Sequence, residues 1–174
     1  MIKTILVPTD GSDHAGKAVM LASDVAEKYG ARLVLLHVLL RGAMSSEMKH
    51  MAEVEHLVSE RPGGMPFAAN VPAAAARMLH DVHADEAPRR AYEKIGELIL
   101  EAAEKTAKDK GVKEIKTEIA DGEAAREILA CAEREDANLI VMGSRGLSDV
   151  KGLLMGSVSH KVSQLSPCTC VTVK

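Results

Sequence analysis

The run Arg32-Leu33-Val34-Leu35-Leu36-His37-Val38 is nearly all apolar. A strand of that composition is buried on both faces, as strands are in a parallel sheet covered by helices. The residues before it complete the unit. Ile2 to Pro8 is a β-rich run closed by a proline and reads as the first strand. Thr9-Asp10-Gly11-Ser12-Asp13 is a polar turn, and Ala15, Ala18, Val19, Ala22, Val25, Ala26 and Tyr29 then recur at helical spacing. Ser12 is placed to cap that helix, and Gly30 stands just past its end. Strand, helix, strand over residues 2–38 is a βαβ unit, expected to be right-handed.

The second half repeats the rhythm. Arg89 to Lys110 reads as a helix with Ala91, Ile95, Leu98, Ile99 and Ala102 as its buried stripe. Glu101–Lys105 and Glu104–Lys108 are favourable pairs on it, and Gly111 ends it. Glu114 to Ala120 alternates apolar and polar residues, the pattern of a half-exposed strand towards a sheet edge. Asp121-Gly122 turns into a helix with Ala124, Ala125, Ile128, Leu129 and Ala132 inward. Asn138 to Met142 and Cys168 to Val173 read as the last two strands. The expected fold is α/β: a Rossmann-like, doubly wound, five-stranded parallel sheet with helices on both faces. Residues 1–174 form a single domain in this reading, with a helical insertion at about 39–88. Its two helices are expected near Ser45–Val58 and from Pro72 to His83.

Composition narrows the function. Aromatic residues make up 2% of the chain, so the core is aliphatic and base-stacking readers of single-stranded nucleic acid are disfavoured. A net charge of -3 points to neither a nucleic-acid nor a membrane surface. Lys3 and Asp10 interrupt the early apolar run, which argues against a signal peptide, and no run approaches membrane-spanning length. Three cysteines make no disulfide framework, and Cys168-Thr169-Cys170 is not a zinc pattern. The expectation is a soluble protein of the reducing cytoplasm.

The chemistry is concentrated at Gly143 to Ser159. The apolar run Leu139-Ile140-Val141-Met142 enters a glycine-rich loop, which enters a helix marked by Val158, Val162 and Leu165. Strand, glycine loop and helix N-terminus together present free N–H groups to a phosphate, and glycines let the backbone come close. In a doubly wound sheet this loop and the turn after the first strand face one crevice. Asp10 in that turn is then a ribose or adenine contact, and Asp13 and His14 are weaker candidates for phosphates or magnesium. A decoy lies nearby: Gly11 to Lys17 spells Gly-x4-Gly-Lys, but Ala18 replaces the Ser/Thr of a phosphate loop and Gly16 falls inside the helix. His50, His56, His80 and His83 lack a third clear metal ligand, so no metal site is expected. Cys168 and Cys170 read as small core residues.

The spacing Gly143-x2-Gly146-x9-Gly156-Ser157 resembles the signature of the universal stress protein family, in its nucleotide-binding branch. Ile5 to Ser12 and Leu139 to Gly146 resemble that family's first strand and turn and its fourth strand. The resemblance covers residues 1–38 and about 89–174. It implies a site for ATP or another adenine nucleotide, with magnesium. Asp10 would contact the nucleoside and Val38 would offer backbone groups to the adenine. Pro8, Thr9, Met142, Gly143, Arg145 and Gly146 would border the nucleotide, and Gly156, Ser157, Val158 and Ser159 would hold its phosphates. It also implies a homodimer through the last strand. No nucleophile–base–orienter set is legible, so the expected role is nucleotide-dependent stress signalling without efficient catalysis; the alternative is a slow ATPase on the same scaffold.

Overall fold

A computed structural model describes residues 2–39, 89–147 and 155–174, with the side chains of 89–92 left aside. The two helices expected between Ser45 and His83, the four histidines there, and Ala91 lie outside the described residues. The described chain runs β1 (Thr4–Pro8), α1 (Asp13–Tyr29), β2 (Arg32–Leu39), α2 (Arg89–Asp109), β3 (Ile115–Asp121), α3 (Ala124–Arg134), β4 (Leu139–Gly143), α4 (Ser157–Leu165) and β5 (Thr169–Val173). The five strands form one parallel sheet in the order β3-β2-β1-β4-β5. This is the doubly wound, Rossmann-like α/β fold that the sequence predicts.

Strand period sorts the core into two layers. Ile5 and Val7, Leu33 and Leu35, and Leu139 and Val141 face α1 and α2. Leu6, Val34 and Leu36, and Ile140 and Met142 face α3 and α4. Because both faces of β1, β2 and β4 are covered, their sequences carry no polar alternation. β3 alternates because it is an edge strand, half-buried along its length. Away from the crevice end, Lys116 at 2.6 Å and Arg32 at 3.0 Å grip Glu135.

The helix ends follow local chemistry. Ser12 caps α1 by accepting the N–H of Ala15 at 3.3 Å. Gly30 ends α1 in the left-handed region at φ 61°, where a Cβ would be strained. Gly16 and Lys17 lie within α1, so the Gly-Lys sequence there forms no phosphate loop.

Two helices present faces that differ from the expected ones. On α2 the buried positions are Ile95, Ile99, Leu100, Ala103 and Ala107, while Leu98 and Ala102 are half-buried. The arc is rotated because Gly96 faces the sheet, and glycine carries no weight in an apolar count. Of the pairs expected on α2, Glu104–Lys108 closes at 2.8 Å. On α4 only Val162 and Ser159 are buried, and Val158 and Leu165 are 37% and 60% exposed. Ser159 turns inward because its hydroxyl has a buried carbonyl to reach, which an apolar count cannot see. On α3, Cys131 is buried and Leu129 half-buried.

Candidate functional site

β1 and β4 are neighbours, yet the chain leaves them in opposite directions along the sheet, towards β2 and β5. The loops that follow them therefore part above the strand ends and leave a crevice, the usual ligand position in such sheets. The first loop is tightly fixed. Thr9 is buried and its N–H donates to the Leu36 carbonyl at 2.8 Å. Asp10 accepts the N–H of Ser12 on Oδ1 at 3.0 Å, closing an Asx turn. Gly11, at φ 82°, makes the bend that this turn requires. The other carboxylate oxygen of Asp10 crosses the crevice and accepts the N–H of Leu147 at 3.1 Å. Gly146 must be glycine for that contact: a Cβ there would stand 2.5 Å from Asp10 Oδ2.

The second loop is held by Ser144. Its N–H donates to the Val173 carbonyl at 2.7 Å, and its carbonyl accepts the Gly156 N–H at 2.8 Å and the Ser159 hydroxyl at 2.7 Å. Its own hydroxyl meets His14 Nδ1 at 3.2 Å. One buried serine thus ties β5, α1 and the start of α4 together. Gly143 is required by close approach, since a Cβ would lie 2.9 Å from the backbone of His14 and Ala15. Gly156 is different. Its φ of −74° suits any residue, and among the described residues a Cβ would meet nothing nearer than 3.6 Å.

Gly156 is also the N-cap of α4, and among the described residues no side-chain cap bonds to this helix end. The first main-chain bond of α4 runs from His160 N–H to the Gly156 carbonyl at 2.9 Å. The N–H groups of Ser157, Val158 and Ser159 therefore have no partner within the helix, and they carry the positive end of its dipole. Ser157 and Val158 are exposed. Ser159 is buried with its hydroxyl spent on Ser144 and Gly156, so it offers its N–H but not its side chain.

The other expected site residues are spread around this centre. Pro8 ends β1, Thr9 and Asp10 form the first loop, and Gly143 with Gly146 line the second. Val38 is half-buried near the end of β2, with β1 between it and β4. Met142 is buried in the layer under α3 and α4. Arg145 is half-buried in the glycine loop. Three participants carry no assigned role in the sequence reading: Ser144, the Leu147 N–H and His37. Only His37 left a signal, as the lone polar residue inside an apolar run. It is 5% exposed, and its Nδ1–H donates to the Thr9 carbonyl at 2.9 Å. Burial lowers its pKa, against the opposing effects of the Thr9 bond and the Asp10 charge. Among the described residues no three His, Cys, Asp or Glu side chains gather into a metal-holding group. No helix there is long and apolar enough to cross a membrane.

Comparison with known families matches residues 1–63 and 60–174 to the universal stress protein family. The chain belongs to the universal stress protein family. It is 36% identical to the universal stress protein YxiE of Bacillus subtilis, with 100% of both chains covered. It is 33% identical to a universal stress protein of Thermus aquaticus, again over 100% of both chains. Among solved structures, the protein MJ0577 is similar at 27% identity and a TM-score of 0.63, covering 100% of this chain and 96% of that one. A universal stress protein solved in complex with cAMP has a TM-score of 0.60 at 22% identity, with 99% and 97% covered. One from Archaeoglobus fulgidus in complex with dAMP has 0.59 at 16%, with 100% and 98% covered. At those two identities the likeness concerns the universal stress protein fold alone.

Proposed function

We propose that this universal stress protein binds an adenine nucleotide, ATP being the leading candidate, between the β1–α1 loop and the glycine loop. The observation that carries the reading is the start of α4. Among the described residues, no side chain caps this helix N-terminus and none crowds its N-cap glycine. A missing side chain that the fold does not need is best explained by a ligand that does need its absence. Phosphate oxygens would accept the N–H groups of residues 157–159 in the favourable end of the dipole. Asp10, fixed across the crevice, would meet the nucleoside together with the backbone near Val38, and Pro8, Thr9, Met142, Gly143, Arg145 and Gly146 would border it. Relatives solved with cAMP and with dAMP support the adenine assignment. Magnesium would enter as the counter-ion of the phosphates, which fits its preference for phosphate and water ligands over a protein cage.

The bound nucleotide would control shape or partner choice in a cytoplasmic stress response rather than be turned over efficiently. The His14–Ser144 contact supplies no nucleophile, because Ser144 is 1% exposed. Mass spectrometry of the small molecules released on denaturing freshly purified protein tests the reading. An adenine nucleotide near one equivalent supports it, and a different ligand class contradicts it. Phosphate release from magnesium-ATP at rates typical of enzymes would favour the hydrolytic alternative.

The nucleotide-bound form would be a homodimer joined through β5, whose only strand neighbour among the described residues is β4. Val173 turns its carbonyl towards the β4 side, where it meets the Ser144 N–H. The N–H of Thr172 therefore faces the open edge. Thr172→Pro removes that donor and spares the β4 ladder. Sedimentation should show the substituted protein shifted towards monomer, and an unchanged dimer would reject pairing through β5.

A further inference from the structure

His37 lies beneath the crevice, on the side of α1 and α2, buried and outside the nucleotide-facing loops. Both main-chain groups of Thr9 are held by β2: the N–H by the Leu36 carbonyl at 2.8 Å and the carbonyl by His37 Nδ1–H at 2.9 Å. The next residue is Asp10, which spans to Ser12 and Leu147. The direction in which the chain enters Asp10 is thus set by a residue clamped at both its N–H and its carbonyl. The ring needs room to do this. A Cβ on Gly96 of α2 would stand 2.8 Å from His37 Cδ2 and 3.4 Å from Ile119 Cδ1. An apolar side chain would fill this place at lower desolvation cost, but it would leave the buried Thr9 carbonyl without a donor.

We propose that His37 is a positioning residue for the crevice: its Nδ1–H fixes the Thr9 carbonyl and so aims Asp10 at the glycine loop, and Gly96 is the gap in α2 that admits the ring. The chain of contacts runs from α2 through His37, Thr9 and Asp10 to Leu147. It couples the helix after residues 40–88 to the ligand end of the sheet. The importance of this coupling for binding rests on the crevice being the ligand site, whereas the coupling itself does not.

The test is residue-resolved amide exchange on ligand-free protein, comparing His37→Asn with His37→Phe. Asparagine carries an N–H donor near the position of imidazole Nδ1, and phenylalanine fills the space without one. In the Phe variant the Leu147 amide should exchange roughly fivefold faster or more, beyond the change at Leu33 and Leu35, as loss of one hydrogen bond in the chain predicts. The Asn variant should hold Leu147 within about twofold of the parent and keep its AMP affinity, a rescue that a purely space-filling role does not give. Equal Leu147 protection in parent and folded Phe variant overturns the proposal, as does failure of Asn to rescue. Should the Phe variant not fold, Gly96→Ala decides, because it displaces the ring from below; unchanged Leu147 protection there overturns the proposal. If the parent binds neither AMP nor ATP, the nucleotide reading falls, and the exchange data still decide the role of His37.

Discussion

Helix α3 begins at Glu123, whose carboxylate accepts the N–H groups of Ala125 at 3.3 Å and Arg126 at 3.0 Å. Helix α4 begins at Gly156, which has no side chain to do the same. Both ends carry the same partial positive charge. They also lie close together, since Lys161 of α4 reaches Glu123 at 3.3 Å. Setting is therefore a poor explanation of the contrast. Burial pushes the Glu123 carboxyl up, but the Arg126 and Ala125 N–H groups and the Lys161 ammonium outweigh it and hold the pKa below its ordinary value. The first helix end supplies its own anion, whereas under the proposed function the second receives one from outside. A similar contrast separates two glycines: Gly143 is required by neighbouring backbone, whereas at Gly156 the described residues leave room for a Cβ.

The sharpest way to break the glycine contrast is Gly143→Ala. Its Cβ would fall 2.9 Å from rigid backbone of α1, and overpacking of this kind should cost about 2–3 kcal/mol in denaturant unfolding. The helix contrast is next. Gly156→Asp gives α4 the cap that α3 already has. Nucleotide affinity should fall by at least about tenfold, or about 1.4 kcal/mol, with stability held or slightly raised. Retained affinity in that folded variant would mean the N-terminus of α4 is not where the phosphates sit. Removing the cap of α3 by Glu123→Ala should cost about 1 kcal/mol of stability and leave nucleotide affinity alone. The carboxylate also predicts a pH effect. Because its folded pKa is depressed, its stabilisation is full above the ordinary carboxylate range and is lost as pH falls through the lowered value. Glu123→Gln should remove that acid-side step from a stability–pH profile. The smallest effect belongs to Gly156→Ala, which should cost about 0.5–1 kcal/mol in thermal unfolding, the ordinary difference between glycine and alanine at an N-cap, with no added overpacking from the described residues.

Much of this was legible in the sequence because short-range patterns encode it. The doubly buried strands announced themselves as apolar runs, the edge strand β3 as an alternation, and α1 through Ser12 and Gly30. The glycine loop was legible because Gly143 ends a strand and Gly156 starts a helix. What escaped depends on partners distant in sequence. Ser144 owes its role to carbonyls and donors on β5, α1 and α4, and Leu147 enters only as a backbone N–H. The faces of α2 and α4 depart from their apolar stripes at Gly96 and Ser159, where a small or polar residue points inward for a specific contact. Apolar counting gives such residues no vote.

The central claim is that the bare N-terminus of α4 is kept for phosphate. Titration calorimetry of the ligand-free protein with adenosine and with ATP, side by side in magnesium buffer, addresses it most directly. ATP should bind at least about tenfold more tightly than adenosine, the margin expected for charge-assisted bonds to a helix N-terminus. Equal affinities for the two, or no binding of ATP, would contradict it.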